Sequence, residues 1–180
     1  MKKLLIIPSF ILLLVLNSSM KSVNTFPTLS CSTLKDKTIV LPKDIKGKMS
    51  VVVLAASKKT EEDLKSWMAP IYQAFIADQS GNLFASEAYD VNTYFIPVFS
   101  GVSKVASKNI KKQMLNGLDI SLQSHVLIYK GKAKDLYKSL GGNTKEALIL
   151  VLDDYGNILE TITGAYTDEK MEIIENILSE

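Results

Sequence analysis

Residues 50–76 read SVVVLAASKKTEEDLKSWMAPIYQAFI, and this stretch decides the fold. Val51, Val52, Val53 and Leu54 form a short β-branched apolar run, the pattern of a buried strand. Leu64, Trp67, Met68, Ile71 and Phe75 then recur at helical spacing, which predicts an amphipathic helix after an exposed turn. Thr60 is the expected N-cap, with Asp63 three residues on. Pro70 falls inside the apolar pattern, where it removes a backbone donor and predicts a bend about one turn back.

On the N-terminal side, Phe26–Leu29 reads as a lead-in and Leu34–Leu41 as a short hairpin with Thr38–Leu41 as its second strand. On the other side, 78–87 is loop-like around Gln79-Ser80-Gly81-Asn82. Val91–Phe99 is rich in β-branched and aromatic residues and completes a right-handed βαβ unit, with Pro97 toward the strand end or at a bulge. Gly101–Leu118 predicts a helix with Val102, Val105, Ala106, Ile110 and Met114 on its apolar side. Lys104, Lys108, Lys111 and Lys112 form its solvated face.

Further on, Ser124–Lys130 is a strand, Lys132–Leu140 a helix, and Gly141-Gly142-Asn143 its stop. Ala147–Leu152 and Asn157–Thr163 pair as a hairpin around Asp153-Asp154-Tyr155-Gly156. A last helix starts at the N-cap Thr167 and buries Met171, Ile174, Ile177 and Leu178.

The first 19 residues carry Lys2 and Lys3, then an apolar run from Leu4 to Leu16, then Asn17-Ser18-Ser19. That order is a bacterial-type secretory signal, and the run is shorter than the roughly 20 residues a spanning helix needs. The expected organisation is therefore a signal over 1–19, a flexible linker over 20–25 and one domain over 26–180, periplasmic or otherwise exported after cleavage of the signal, with no membrane span in the mature protein. Two of the 21 basic residues leave with the signal, so 19 face 19 acidic ones. Such a balance gives no electrostatic case for nucleic acid. All the basic residues are lysine, so the bidentate grip of arginine is missing. A single cysteine, Cys31, forms no internal disulfide.

Strand, turn and helix followed by Met68-Ala69-Pro70-Ile71 resemble the first βα unit of thioredoxins, and Gly164-Ala165 resembles their join after the last strand. The resemblance implies an α/β, thioredoxin-like three-layer α/β/α sandwich with a mixed central sheet. Aligned on the proline, the two redox cysteines of that family fall at Glu62 and Lys65. The family's cis-proline falls at Ala147, and a non-proline cis bond costs about 2.5 to 4 kcal/mol, so a trans peptide is expected there. Peroxiredoxins use an arginine that this chain lacks. The copper chaperones of the fold use a cysteine pair that it also lacks.

From Phe26 to Leu178 the chain is also similar to the redox-inactive thioredoxin-like factors that help assemble mitochondrial ATP synthase. The shared pieces are Phe26-Pro27 with Leu34, Ser66-Trp67 and Pro70, His125 through Gly131, Tyr137, Leu140-Gly141 and Asn143. Leu150 to Asp153 with Gly156 and Ile158, then Gly164 and Thr167, complete the set. This resemblance implies a redox-inactive envelope protein acting as a protein-binding, assembly or chaperone module with an unknown protein or peptide partner. Its binding surface would hold Lys58, Lys59, Glu62, Lys65 and the loop up to Ala147.

No residue set argues for an enzyme, a cofactor or a metal. His125 stands alone on an apolar strand, without the several ligands a metal wants. The Asp153-to-Asn157 segment lacks the alternating oxygens of a calcium loop. Gly131, Gly141 and Gly142 are not spaced to cradle phosphate. Glu61, Glu62 and Asp63 suit the positive end of a helix. The alternative is a single-cysteine thiol oxidoreductase or peroxidase-like enzyme using Cys31.

Overall fold

The strand β3 (Ser50–Ala55) is buried at all six positions, because its alternate side chains enter two different apolar cores. The computed structural model describes residues 24–77 and 89–179. The expected signal over 1–19, most of the expected linker and the 78–87 loop lie outside the described residues. Asn24 and Thr25 are already part of the fold: Asn24 accepts a hydrogen bond from the Ile158 amide at 2.8 Å, and Thr25 bridges Asn157.

Around β3 stand β1 (Leu29–Thr33), β2 (Thr38–Leu41), β4 (Asn92–Phe99), β5 (Leu127–Lys130), β6 (Leu148–Leu152) and β7 (Ile158–Thr163). They form one seven-stranded sheet in the order β2-β1-β5-β4-β3-β6-β7. The β3–β4 and β4–β5 pairs are parallel and the rest antiparallel, so the sheet is mixed as expected.

The helices are α1 (Lys58–Ile71), α2 (Lys104–Gly117), the four-residue α3 (Ile120–Gln123), α4 (Ala133–Ser139) and α5 (Asp168–Leu178). One core joins Val52, Leu54, Ile96 and Leu150 of the sheet to Leu136 and Tyr137 of α4, with Leu29, Cys31 and Leu41 of the β1–β2 hairpin. The opposite core joins Val51, Val53, Phe95 and Ile149 to Leu64, Trp67 and Ile71 of α1 and Met171 and Ile174 of α5. Three layers result, α/β/α, with buried sheet surface on both sides.

Three expectations need correction. The N-cap of α1 is Ser57, and Thr60 is the third residue of the helix; the two side chains form a reciprocal capping box. Cys31, whose Ser/Thr-rich surroundings read as an entry segment ahead of the hairpin, lies in the middle of β1, paired to Ile39 and Tyr129. The helix α2 is rotated from its expected orientation: Val102 before it is 37% exposed and Val105 is 70% exposed, while Lys111 is buried. The elongated lysine stem packs as an apolar residue would, and its ammonium finds partners at the far end.

After Pro70 the α-helix gives way to wider π turns over Tyr72–Ile76. The donor that Pro70 lacks would have served the Ser66 carbonyl one turn back, and α1 nevertheless runs through Pro70 to Ile71 before the wider turns begin. The closing helix matches its reading, with the Thr167 hydroxyl accepting from the Lys170 amide.

Candidate functional site

At the carboxyl end of β3 the chain turns through Ala56 and Ser57 into α1. The turn is held by Thr60, which is fully buried: its hydroxyl oxygen accepts from the Ala56 and Ser57 amides at 2.8 Å each and donates to the Ser57 carbonyl at 2.9 Å. Asp63, one turn on, accepts from the Ala147 amide at 3.2 Å and so fixes the start of β6 against α1. The Tyr137 hydroxyl donates to the Leu54 carbonyl at 2.9 Å, and burial, then the Asp63 charge, push its pKa up. Four elements are thereby locked at one end of the sheet.

The residues expected to form one binding surface are separated by this arrangement. Lys58, Lys59, Glu62 and Lys65 are exposed on α1, but Ala147 is fully buried and contributes only its amide to Asp63. Leu41–Pro42 is the cis peptide among the described residues, so the bond entering Ala147 is trans. Because α1 begins at Lys58, the redox positions assigned by the proline, Glu62 and Lys65, lie inside the helix beyond its first turn. The strand-to-helix junction is instead Ala56-Ser57-Lys58-Lys59.

Lys58 and Lys65 face a groove of about 570 Å3 between α1 and α2. Its α1 rim also carries Glu61, Leu64 and Met68. Phe95, Pro97 and Phe99 of β4 with Val126 make the floor, and Ile110, Met114 and Leu118 line the α2 side. Lys59 and Glu62 do not line it. Sequence reasoning placed Ile110 and Met114 on the apolar side of their helix but missed the groove, because its two walls come from segments about 40 to 60 residues apart.

The wall formed by α2 is fastened by Lys111. Its ammonium donates to the Ser32 hydroxyl at 2.8 Å, the Thr33 carbonyl at 2.9 Å and the Asp36 carboxylate at 2.5 Å. The hydrogen bond and charge of Lys111 hold the Asp36 carboxyl below its ordinary pKa. Asp36 itself sits in the β1–β2 turn with a φ of +63°, a left-handed conformation that aspartate tolerates.

Cys31 is 2% exposed, and burial pushes its pKa up to about 12. A thiol so placed is overwhelmingly protonated at neutral pH, and thiolate is the reacting form. The His125 ring places Nδ1 2.9 Å from the Thr93 carbonyl, a contact that pins the start of β5 to β4. Among the described residues no group of three or more His, Cys, Asp or Glu side chains gathers to hold a metal.

No family model matches the chain, and no curated protein matches it. Solved structures do. The thioredoxin domain of a thiol-disulfide oxidoreductase from Bacteroides vulgatus superposes with a TM-score of 0.55 at 15% identity, over 87% of this chain and 98% of that one. Yeast Sco1 gives 0.53 at 11% identity, over 87% and 96%. An exposed lipoprotein thioredoxin of Streptococcus pneumoniae gives 0.52 at 15% identity, over 83% and 99%. At such identities the likeness is one of fold, and the fold is thioredoxin-like.

These similarities also overturn one expectation. The chain was expected to be a redox-inactive assembly or protein-binding module, yet the structures it shares its fold with are thiol-disulfide oxidoreductases and Sco proteins.

Proposed function

We propose that the chain binds a small amphipathic molecule in the groove between α1 and α2. The groove is the observation that carries this reading: about 570 Å3, with an apolar floor, an α2 wall that is apolar apart from Gln113, and a charged α1 rim. Small-molecule sites of roughly 300 to 1,000 Å3 are built in this way, mostly apolar with a few polar groups that fix orientation. The groove also lies over the carboxyl half of β4, beside the end of β3, where open α/β sheets bind ligands. Titration with the neutral apolar fluorophore N-phenyl-1-naphthylamine tests it. Saturable binding that Met114→Gln weakens about fivefold supports the reading. A weak, non-saturating signal shared by both proteins rejects it.

A second reading is favoured by the fold shared with thiol-disulfide oxidoreductases. In it Cys31 is the reacting thiol, and because it is buried in β1 the reaction proceeds through conformations in which the β1–β2 edge opens. Disulfide reduction by the wild type above the rate of Cys31→Ser is its test, and equal rates exclude it.

Export rests on the lysine pair and apolar run ahead of residue 20, and N-terminal sequencing of exported protein checks the cleavage point. The resemblance to the ATP synthase assembly factors extends only to the fold.

A further inference from the structure

From the charges on the groove's rim we infer that its ligand is a single-chain amphiphile with a carboxylate head, such as a free fatty acid. The inference rests on the groove reading above and names the chemistry of its occupant. Lys58 and Lys65 lie on the same face of α1, seven residues and so about 10 Å apart, with Glu61 between them. Neither ammonium has an ion-pair or hydrogen-bond partner among the described residues. Lys48, Lys111 and Lys132 show that lysines elsewhere in the fold do find carboxylates.

The position of Lys58 is itself unusual. It and Lys59 open α1, and the first turn of a helix favours negative side chains because the aligned peptide dipoles make that end positive. Lys58 departs from that pattern, although Glu61 in the same turn follows it and offsets part of the field. An anion docked at the Lys58 end of this rim meets the Lys58 charge and the positive end of the helix, with Lys65 about 10 Å further along.

The sum of the charges narrows the head group. Lys58 and Lys65 against Glu61 leave one net positive charge facing the groove. A carboxylate, with one negative charge, balances it. A phosphate monoester, with a charge of about −1.5 to −2, leaves excess negative charge beside Glu61.

The tail follows from the other surfaces. From Lys58 to Met68 the rim runs about 15 Å, and Phe95, Phe99, Val126, Ile110, Met114 and Leu118 offer apolar contact along that length. An acyl chain laid there gains about three- to fourfold in affinity for each methylene it buries.

The test is displacement of N-phenyl-1-naphthylamine from the full chain by dodecanoate and by dodecanol, below their aggregation limits. Dodecanoate is expected to bind about fivefold tighter than dodecanol, an advantage that shrinks as salt is added. Lys58→Met with Lys65→Met, both on exposed positions, removes the difference between dodecanoate and dodecanol. Glu61→Gln tightens dodecanoate about twofold relative to dodecanol. If dodecanol binds as well as dodecanoate while the fluorophore still saturates, the carboxylate inference fails and the groove reading stands. If dodecyl phosphate outcompetes dodecanoate, the head group has been misassigned. If neither the fluorophore nor either amphiphile binds, the groove reading fails with it.

Discussion

The ammonium of Lys111 lies 2.5 Å from the carboxylate of Asp36, a contact between a buried residue of α2 and an exposed residue of the β1–β2 turn. The burial of the two partners is unequal, with side chains 9% and 84% exposed. Lys111 also donates to Ser32 and Thr33, so its removal strands polar atoms that Asp36 does not touch. Lys111→Met, which keeps most of the stem, is expected to cost about 1.5 to 3 kcal/mol in chemical denaturation. Asp36→Asn is expected to cost clearly less, because the two other acceptors keep their donor. An equal loss from both variants would place the whole effect in the ion pair.

The same contact sets a pH dependence. The Asp36 carboxyl is held below its ordinary value of 3.8, first by the hydrogen bond from Lys111 and then by its charge. A depressed carboxyl binds protons more weakly in the folded chain than in the unfolded one. Its stabilising contribution is therefore full above that ordinary value and is lost as pH falls through the lower folded value. Stability measured from pH 7 down to pH 2 should show wild type and Asp36→Asn converging below about pH 4. A constant gap across that range would deny the linkage.

Trp67 joins α1 to the turn after β7. It is fully buried, its indole N–H donates to the Gly164 carbonyl at 3.0 Å, and Tyr166 meets it edge to face at a centroid distance of 5.3 Å. Trp67→Ala should cost about 3 to 5 kcal/mol. Trp67→Phe, which keeps a ring but not the donor, should cost more than about 1 kcal/mol, since it also leaves space behind. A loss below about 1 kcal/mol for the alanine variant would mean that the helix face had been misassigned.

Cys31 should be slow to react. With 2% exposure and a pKa pushed up to about 12, it is expected to label with a thiol reagent only as fast as the β1–β2 edge opens. Labelling should accelerate steeply in denaturant. Cys31→Ser, which puts a hydroxyl into an apolar core, should destabilise by about 1 to 3 kcal/mol. Rapid labelling of the native protein at neutral pH would contradict this placement.

Much of the fold was legible because the strands that matter are continuous apolar runs. Val51–Leu54 and Leu148–Leu152 face apolar cores on both sides, and nothing in their composition competes with that reading. The Thr167 cap was equally plain, because its partner Lys170 is three residues away. What failed were readings decided at long range. Lys111 looked like one of four solvated lysines, and its partners lie 75 to 79 positions distant in the sequence. Cys31 sits among Ser30, Ser32 and Thr33, residues that read as loop until β5 and β2 are placed beside them. The α1 cap failed locally, since Ser57 and Thr60 both suit the role and the buried Thr60 hydroxyl is what selects Ser57. Of the candidate site, Lys58 and Lys65 were legible as exposed helix positions, but the floor and wall opposite them were not.

The anchoring of the two groove walls has a mechanical consequence. The helix α1 is moored through Trp67 to Gly164, through Ser66 to Tyr166 and through Asp63 to Ala147, all on the β6–β7 side of the molecule. The helix α2 is moored through Lys111 to the β1–β2 side. The floor strand β4 runs between those two halves of the sheet. The two walls are thus fixed to opposite ends of one sheet, so the width of the gap between them is set by the sheet and not by any direct tie between the helices.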